Sequence, residues 1–260
     1  MKIIDTHCHL NDEILYKDLE NVISRAQQVG VEKMVVIGWD KASSKLAIEL
    51  AEQYDFIYAV IGFHPENVFD IDDKVLYETL ELCKHPKVVG IGEIGLDYHW
   101  TKEPDKREIQ KQFFIKQIDF ANEHHLPISI HNRDAFADTL SILKEHKPLY
   151  GGVMHCYAGS VENLSDIINL NLYIGLGGPV TFTNAKTPKE VATEVPLDRL
   201  VVETDCPYLS PHPLRGTVNE PANISLVVDE IARLRNMSKK HLLDALYQNS
   251  CKLFKIWEFI

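Results

Sequence analysis

His7 and His9 are the first residues in this chain that can do chemistry. They stand in Ile3-Ile4-Asp5-Thr6-His7-Cys8-His9, whose apolar start reads as a short buried strand. Successive side chains on a strand alternate faces, so both imidazoles project one way and Cys8 the other. Two imidazoles leaving the C-terminal end of one strand can chelate a divalent metal. Taken alone, a His-x-His pair is more often a polar strand exit. The balance shifts because ligand-type residues recur at later strand ends.

The run at 88–93 closes on Gly90-Ile91-Gly92-Glu93, with Gly95 two residues on. Glycines around Glu93 let backbone and other ligands come close, and a carboxylate there can bridge two ions. Pro127-Ile128-Ser129-Ile130 ends on His131, and Gly152-Val153-Met154 ends on His155. Leu200-Val201-Val202 runs into Glu203-Thr204-Asp205, where alternation points both acids the same way unless the turn intervenes before Asp205. Each has a plainer alternative: a solvated acid in a glycine-rich turn, a hydrogen-bonded core histidine, an acidic strand exit. Together they form a set of candidate ligands, His7, His9, Glu93, His131, His155 and Asp205. Four imidazoles and two carboxylates suit Zn²⁺, Mn²⁺ or a similar ion better than an all-oxygen calcium site.

Six protein ligands are too many for one tetrahedral catalytic ion with an open position, but suit two ions that share a carboxylate. The expected partition is His7, His9, Glu93 and Asp205 on one ion, and Glu93, His131 and His155 on the other. Two ions about 3.5–4 Å apart acidify a shared water and clamp the attacking and leaving oxygens. Asp205 is the expected proton acceptor, with Glu203 orienting it from behind. His64, in Gly62-Phe63-His64-Pro65, is placed to donate to a phosphoryl or leaving oxygen, its alternative being a histidine in a turn before proline. Arg133, two residues past His131, offers a planar set of donors to a phosphate. The alternative for Arg133 is a surface ion pair with Asp134 or Asp138.

The elements that must position these groups alternate in type. Strand patterns fall at 2–9, 33–38, 56–62, 88–93, 127–131, 151–155, 172–175 and 199–203, and amphipathic helical patterns at 18–29, 43–53, 73–83, 107–124 and 134–146. Eight strands alternating with helices over this length match a single-domain α/β (β/α)8 TIM-type barrel spanning 1–260, although a doubly wound open sheet has the same local periods. The candidate ligands close strands one, four, five, six and eight. A barrel gathers those ends at one mouth, whereas an open sheet strings them along a line. The tail from Ile224 to Glu258 reads as two further helices.

Composition narrows the partners. The five cysteines are scattered and never in Cys-x-x-Cys spacing, which points to reduced thiols and a cytoplasmic protein. No apolar run is long enough to span a bilayer, strand residues begin too early for a signal peptide, and no membrane partner is expected. A net charge of −11 argues against a broad basic face gripping duplex DNA. It leaves open a phosphate-bearing substrate drawn in by bound metal. A one-domain barrel of this size can stand alone as a monomer.

The segments Ile4-Asp5-Thr6-His7-Cys8-His9-Leu10, Gly62-Phe63-His64-Pro65, Gly92-Glu93-Ile94-Gly95-Leu96-Asp97-Tyr98, His131-Asn132-Arg133-Asp134-Ala135, Met154-His155-Cys156-Tyr157-Ala158-Gly159-Ser160 and Glu203-Thr204-Asp205-Cys206-Pro207, in this order, resemble the TatD family of metal-dependent deoxyribonucleases. The resemblance runs from Ile3 to about Asn249. It implies a TIM-type barrel, divalent metals (Mg, Mn or Zn) at these positions, and hydrolysis of DNA phosphodiesters, often from an end. Two departures stand out. Arg215-Gly216 is followed by Thr217-Val218 where family members often carry a basic pair, and Cys206 replaces a common alanine or serine. Competing readings are an amidohydrolase or aminoacyl-tRNA deacylase cleaving a C–N or ester bond, and a non-catalytic metal or nucleic-acid binding module. Glu93 at the end of strand four, where many amidohydrolases use a carboxylated lysine, favours the nuclease.

Overall fold

Eight parallel strands form one sheet in sequence order: Ile3–Cys8 (β1), Val31–Ile37 (β2), Ile57–Ile61 (β3), Val88–Asp97 (β4), Ile128–Arg133 (β5), Gly152–Met154 (β6), Leu172–Leu176 (β7) and Leu200–Val202 (β8). These come from a computed structural model that describes residues 2–257. The strands read as nearly continuous apolar runs because a parallel sheet in an α/β protein is covered on both faces. At least one helix separates each consecutive pair of strands, and the fold is a (β/α)8 TIM barrel. In this class the C-terminal strand ends share one rim, where chemistry is placed.

Close packing divides the described residues into two compact units, 2–36 with 156–164 and 174–257, and 37–155 with 165–173. In the first, the end of β1 is tied to the turn after β8. Asp205 N donates to His7 O at 2.9 Å, and His9 N donates to Cys206 O at 2.8 Å. Helix Lys239–Phe254 packs Leu242, Leu243, Leu246 and Leu253 into this unit's core. Its buried Asn249 donates to the Leu197 and Leu200 carbonyls at 2.7 and 2.8 Å, closing off backbone groups at the start of β8.

The second unit holds β3 to β6, with helix Lys41–Gln53 against β3 and helix Pro104–Glu123 against β4. Asp40 starts the former with a capping box, its carboxylate accepting from Ser43 N at 2.7 Å while Ser43 Oγ accepts from Asp40 N at 2.9 Å. The latter begins three residues before the sequence pattern places it, because Pro104 is tolerated in a helix's first turn, where its missing N–H has no partner to lose.

Two differences from the sequence expectation matter for the site. Strand β4 continues four residues past Glu93, pairing Gly95 with His131 and Asp97 with Arg133. Gly95 permits this: its φ is +146°, and a Cβ there would lie 1.9 Å from His131 O. Strand β8 stops at Val202, so alternation does not govern the direction of Asp205, whose φ is +56°. The tail forms helices Ile224–Leu234 and Lys239–Phe254 as expected, while Glu258 lies outside the described residues. No helix among the described residues is long and apolar enough to cross a membrane.

Candidate metal centre

In the first unit, His7 and His9 leave β1 on the same side. Their Nε2 atoms are 3.3 Å apart, and Cys8 turns the other way to meet the Val35 carbonyl. Asp205 Oδ1 completes the set, 3.6 Å from His7 Nε2 and 3.4 Å from His9 Nε2. Ligands of a tetrahedral ion with bonds near 2.05 Å sit about 3.3 Å from one another, so these spacings fit one transition-metal ion.

Behind this set lies a carboxylate that the sequence reading passed over. Asp5 is fully buried, and its Oδ2 accepts from Thr204 Oγ1 at 2.6 Å while Oδ1 accepts from Thr204 N at 3.0 Å. It thereby fixes the residue preceding Asp205 against the strand that carries His7. Burial pushes the Asp5 carboxyl up to about 7, against the pull of the Thr204 hydrogen bonds. Glu203 is buried too, and its Oε1 accepts from Cys156 N, the amide that follows His155. Asn219, in Asn219-Glu220-Pro221, donates to the Thr204 and Tyr208 carbonyls at 2.9 and 2.7 Å and holds the loop after β8.

In the second unit the donors centre on one atom. Glu93 Oε1 is 2.8 Å from His131 Nδ1 and 2.8 Å from His155 Nε2, and those two nitrogens are 3.4 Å apart. The spacings bracket those expected of octahedral and tetrahedral ligands, about 2.9 and 3.3 Å. Gly92 makes room beside Glu93, since a Cβ on it would meet Ser129 of β5 at 2.7 Å. The other ring nitrogen of His131 is held by Asp97, with Oδ2 to Nε2 at 3.0 Å. A ligating histidine anchored by a carboxylate is the usual outer support of a metal site. Burial lowers the His131 pKa, but hydrogen bonds to Asp97 and Glu93 more than offset it and leave it raised. Burial conversely raises Asp97, and His131 brings it net below its ordinary value.

His64 faces the same set, its Nε2 3.9 Å from Glu93 Oε1 and its ring 4.4 Å from that of His131. Its Nδ1 accepts from Glu66 N at 3.2 Å, which assigns the proton to Nε2. Burial and then the neighbouring His131 hold its pKa down to about 3, so at neutral pH it is an uncharged donor. Arg133, at the exposed end of β5, makes neither of the ion pairs considered for it. Asp134 pairs with His99 at 3.1 Å, and Asp138 with Tyr98 Oη at 2.6 Å and Lys111 at 2.8 Å. The Arg133 guanidinium lies over the Trp100 ring, 5.5 Å from its centroid.

Two glutamines absent from the sequence reading align this unit's loops. Gln110 and Gln117 lie two turns apart on helix Pro104–Glu123 and are buried. Gln117 accepts from Phe63 N at 2.8 Å and donates to Phe63 O at 3.1 Å, gripping the residue before His64. Gln110 accepts from Asp97 N at 3.1 Å and donates to Pro65 O and Thr101 Oγ1 at 3.1 and 2.9 Å. Their signal in the sequence is amide side chains interleaved with Phe113, Phe114, Ile118 and Ala121 on a core-facing stripe.

Imidazole and carboxylate donors at strand ends of a (β/α)8 barrel define a class, the metal-dependent hydrolases built on this fold. The sequence model of the TatD related DNase family matches residues 4–255, and the chain belongs to this family of metal-dependent hydrolases. It is 49% identical over 255 residues to the uncharacterized metal-dependent hydrolase YabD of Bacillus subtilis, covering 98% of this chain and 99% of that one. Among solved structures it is similar to YjjV, a TatD homolog from Escherichia coli, with a TM-score of 0.91, 31% identity and 98% of each chain covered. An organophosphorus hydrolase from Deinococcus radiodurans shares the fold at a TM-score of 0.64 and 11% identity, over 97% of this chain and 92% of that one.

Proposed function

We propose that this chain hydrolyses DNA phosphodiester bonds, working from strand ends, with one divalent ion on each donor set. The observation that carries the reading is the pair of donor sets, His7, His9 and Asp205 in one unit and Glu93, His131 and His155 in the other, each spaced as ligands of one ion. Glu93 is assigned to the ion of its own unit, with His131 and His155. When bound, Mg²⁺, Mn²⁺ or Zn²⁺ supplies Lewis acidity to the phosphoryl group and acidifies the attacking water.

The side chains divide the remaining work. Asp205 takes the proton of the attacking water as its oxygen bonds to phosphorus and the bond to the leaving sugar oxygen breaks. His64, uncharged and carrying its proton on Nε2, donates a hydrogen bond to a phosphoryl or leaving oxygen. Glu203 holds the backbone that follows His155, and Asp97 orients the His131 ring. Arg133 contacts a phosphate beyond the scissile one. DNA is favoured over a C–N substrate by the family to which the chain belongs and by a guanidinium two residues past His131, at the end of β5.

A side-by-side assay of the metal-loaded protein on single-stranded oligonucleotides and on N-acyl substrates tests this. Turnover of the oligonucleotide with release of mononucleotides is expected. Turnover of the N-acyl substrate alone would move the protein to the amidohydrolases, and turnover of neither would leave a metal-binding module.

A further inference from the structure

Tryptophan is among the most buried residues of folded proteins on average, yet Trp100 is 62% exposed. It sits in the turn that follows β4, and that turn is tied to the metal donors through a single carboxylate. Asp97 Oδ1 accepts from His99 N at 2.9 Å and from Trp100 N at 3.0 Å, while its Oδ2 holds His131 Nε2 at 3.0 Å. The Tyr98 amide donates to Arg133 O at 2.8 Å, which locks the turn to the end of β5. Gln110 clamps the same turn from beneath, through Asp97 N and Thr101 Oγ1. The exposed indole is therefore carried on a backbone held by the same carboxylate that holds the His131 ring.

Its surroundings select a ligand. The Arg133 guanidinium lies 5.5 Å from the indole centroid, and the His99 ring meets it edge-on at 4.7 Å. An exposed indole with a guanidinium over its ring offers stacking to a flat base and charge to the phosphate attached to it. In a chain of net charge −11, this is a local cationic and aromatic spot with little diffuse attraction around it. A duplex keeps the faces of its internal bases covered, so an unpaired nucleotide, splayed from its neighbours, makes the fullest use of the indole.

We propose that Trp100 stacks on a nucleobase of single-stranded DNA while Arg133 holds that nucleotide's phosphate, making this pair the element that selects unpaired strand ends. The inference rests on the DNA reading above and adds to it a base-contacting residue and a reason for strand preference.

The test is the KM of the metal-loaded protein for a single-stranded oligodeoxynucleotide and for the same oligonucleotide with abasic terminal residues. Trp100→Ala is expected to raise KM for the base-bearing strand roughly tenfold, within the range for loss of one base–aromatic stack. Trp100→Phe should recover most of that loss and Trp100→Leu should not. On the abasic strand the four proteins should converge, which a purely structural role for Trp100 would not produce. A wild-type KM for Trp100→Ala on the base-bearing strand, or an equal rise on both strands, overturns the stack and leaves the DNA reading intact. Hydrolysis of a phosphodiester dye with no turnover of any oligonucleotide by the wild type overturns the DNA reading, and the stack with it.

Discussion

The two donor sets are built from the same residue types but supported in opposite ways. His7, His9 and Asp205 rest on a closed network, with Asp5 buried behind them and spending both its oxygens on Thr204. Glu93, His131 and His155 rest on a chain that runs outward, through Asp97 to the turn bearing His99 and Trp100 and to the exposed end of β5 at Arg133. The first set reaches outward through the loop after β8, where the exposed Tyr208 ring lies 6.1 Å from that of His9 and Tyr208 N donates to Asp205 O at 2.9 Å. The chain behind the second set lets whatever lies at the surface share a carboxylate with a metal donor.

The comparison can be broken most directly by removing the metal. Stripping the purified protein with chelator should abolish hydrolysis, and Mg²⁺, Mn²⁺ or Zn²⁺ should restore it, because no side chain in either set is a self-sufficient nucleophile. Full turnover with metal content verified as nil would refute both sets at once.

Next in size, Glu93→Ala should lose far more metal than His64→Ala, measured by elemental analysis after dialysis. Glu93 Oε1 is the common neighbour of His131 and His155, whereas His64 approaches it only at 3.9 Å. Undiminished metal content in Glu93→Ala would break the assignment of that carboxylate as a ligand.

The contrast between supports sharpens with one variant on each side. Asp97→Asn should lower metal affinity or turnover roughly 10–100-fold, the usual effect of losing a ligand's outer partner, with little change in melting temperature. Asp5→Ala should act mainly on stability, about 1–3 kcal/mol, because it leaves buried Thr204 donors without their acceptor. Thermal melts and metal titrations of the two proteins, run together, would show the expected crossing of effects. Equal profiles would mean that the two supports do not differ in kind.

The smallest expected effect belongs to Arg133→Ala. It should weaken turnover of oligonucleotides a few-fold more than turnover of a small phosphodiester dye, with metal content and melting temperature near wild type. Equal losses on both substrates would place Arg133 in support of the site itself, and no loss on either would return it to the surface.

Much of this was legible in the chain. All six candidate donors are named by residue type and by position at strand ends; alternating periods give the eight strands, and the convergence of those strand ends, not the periods, favours the barrel over an open sheet. The reading fell short where a strand's end had to be judged. Stopping β4 at Glu93 hid Asp97, whose place in the sheet depends on Gly95 letting the His131 backbone approach. At the end of β8 the sequence leaves two directions open for Asp205, by alternation or by a turn, and a turn with positive φ sets it.

By itself, then, the sequence determined which atoms can bind metal, because donor chemistry belongs to the side chain and strand spacing is a local property. What only the tertiary structure decided is how those atoms are held. Asp5 meets Thr204 across 199 residues, Gln117 meets Phe63 across 54 and Asp97 meets His131 across 34. Such pairs leave no period in the chain, since each forms only when packing brings two distant segments within hydrogen-bond reach.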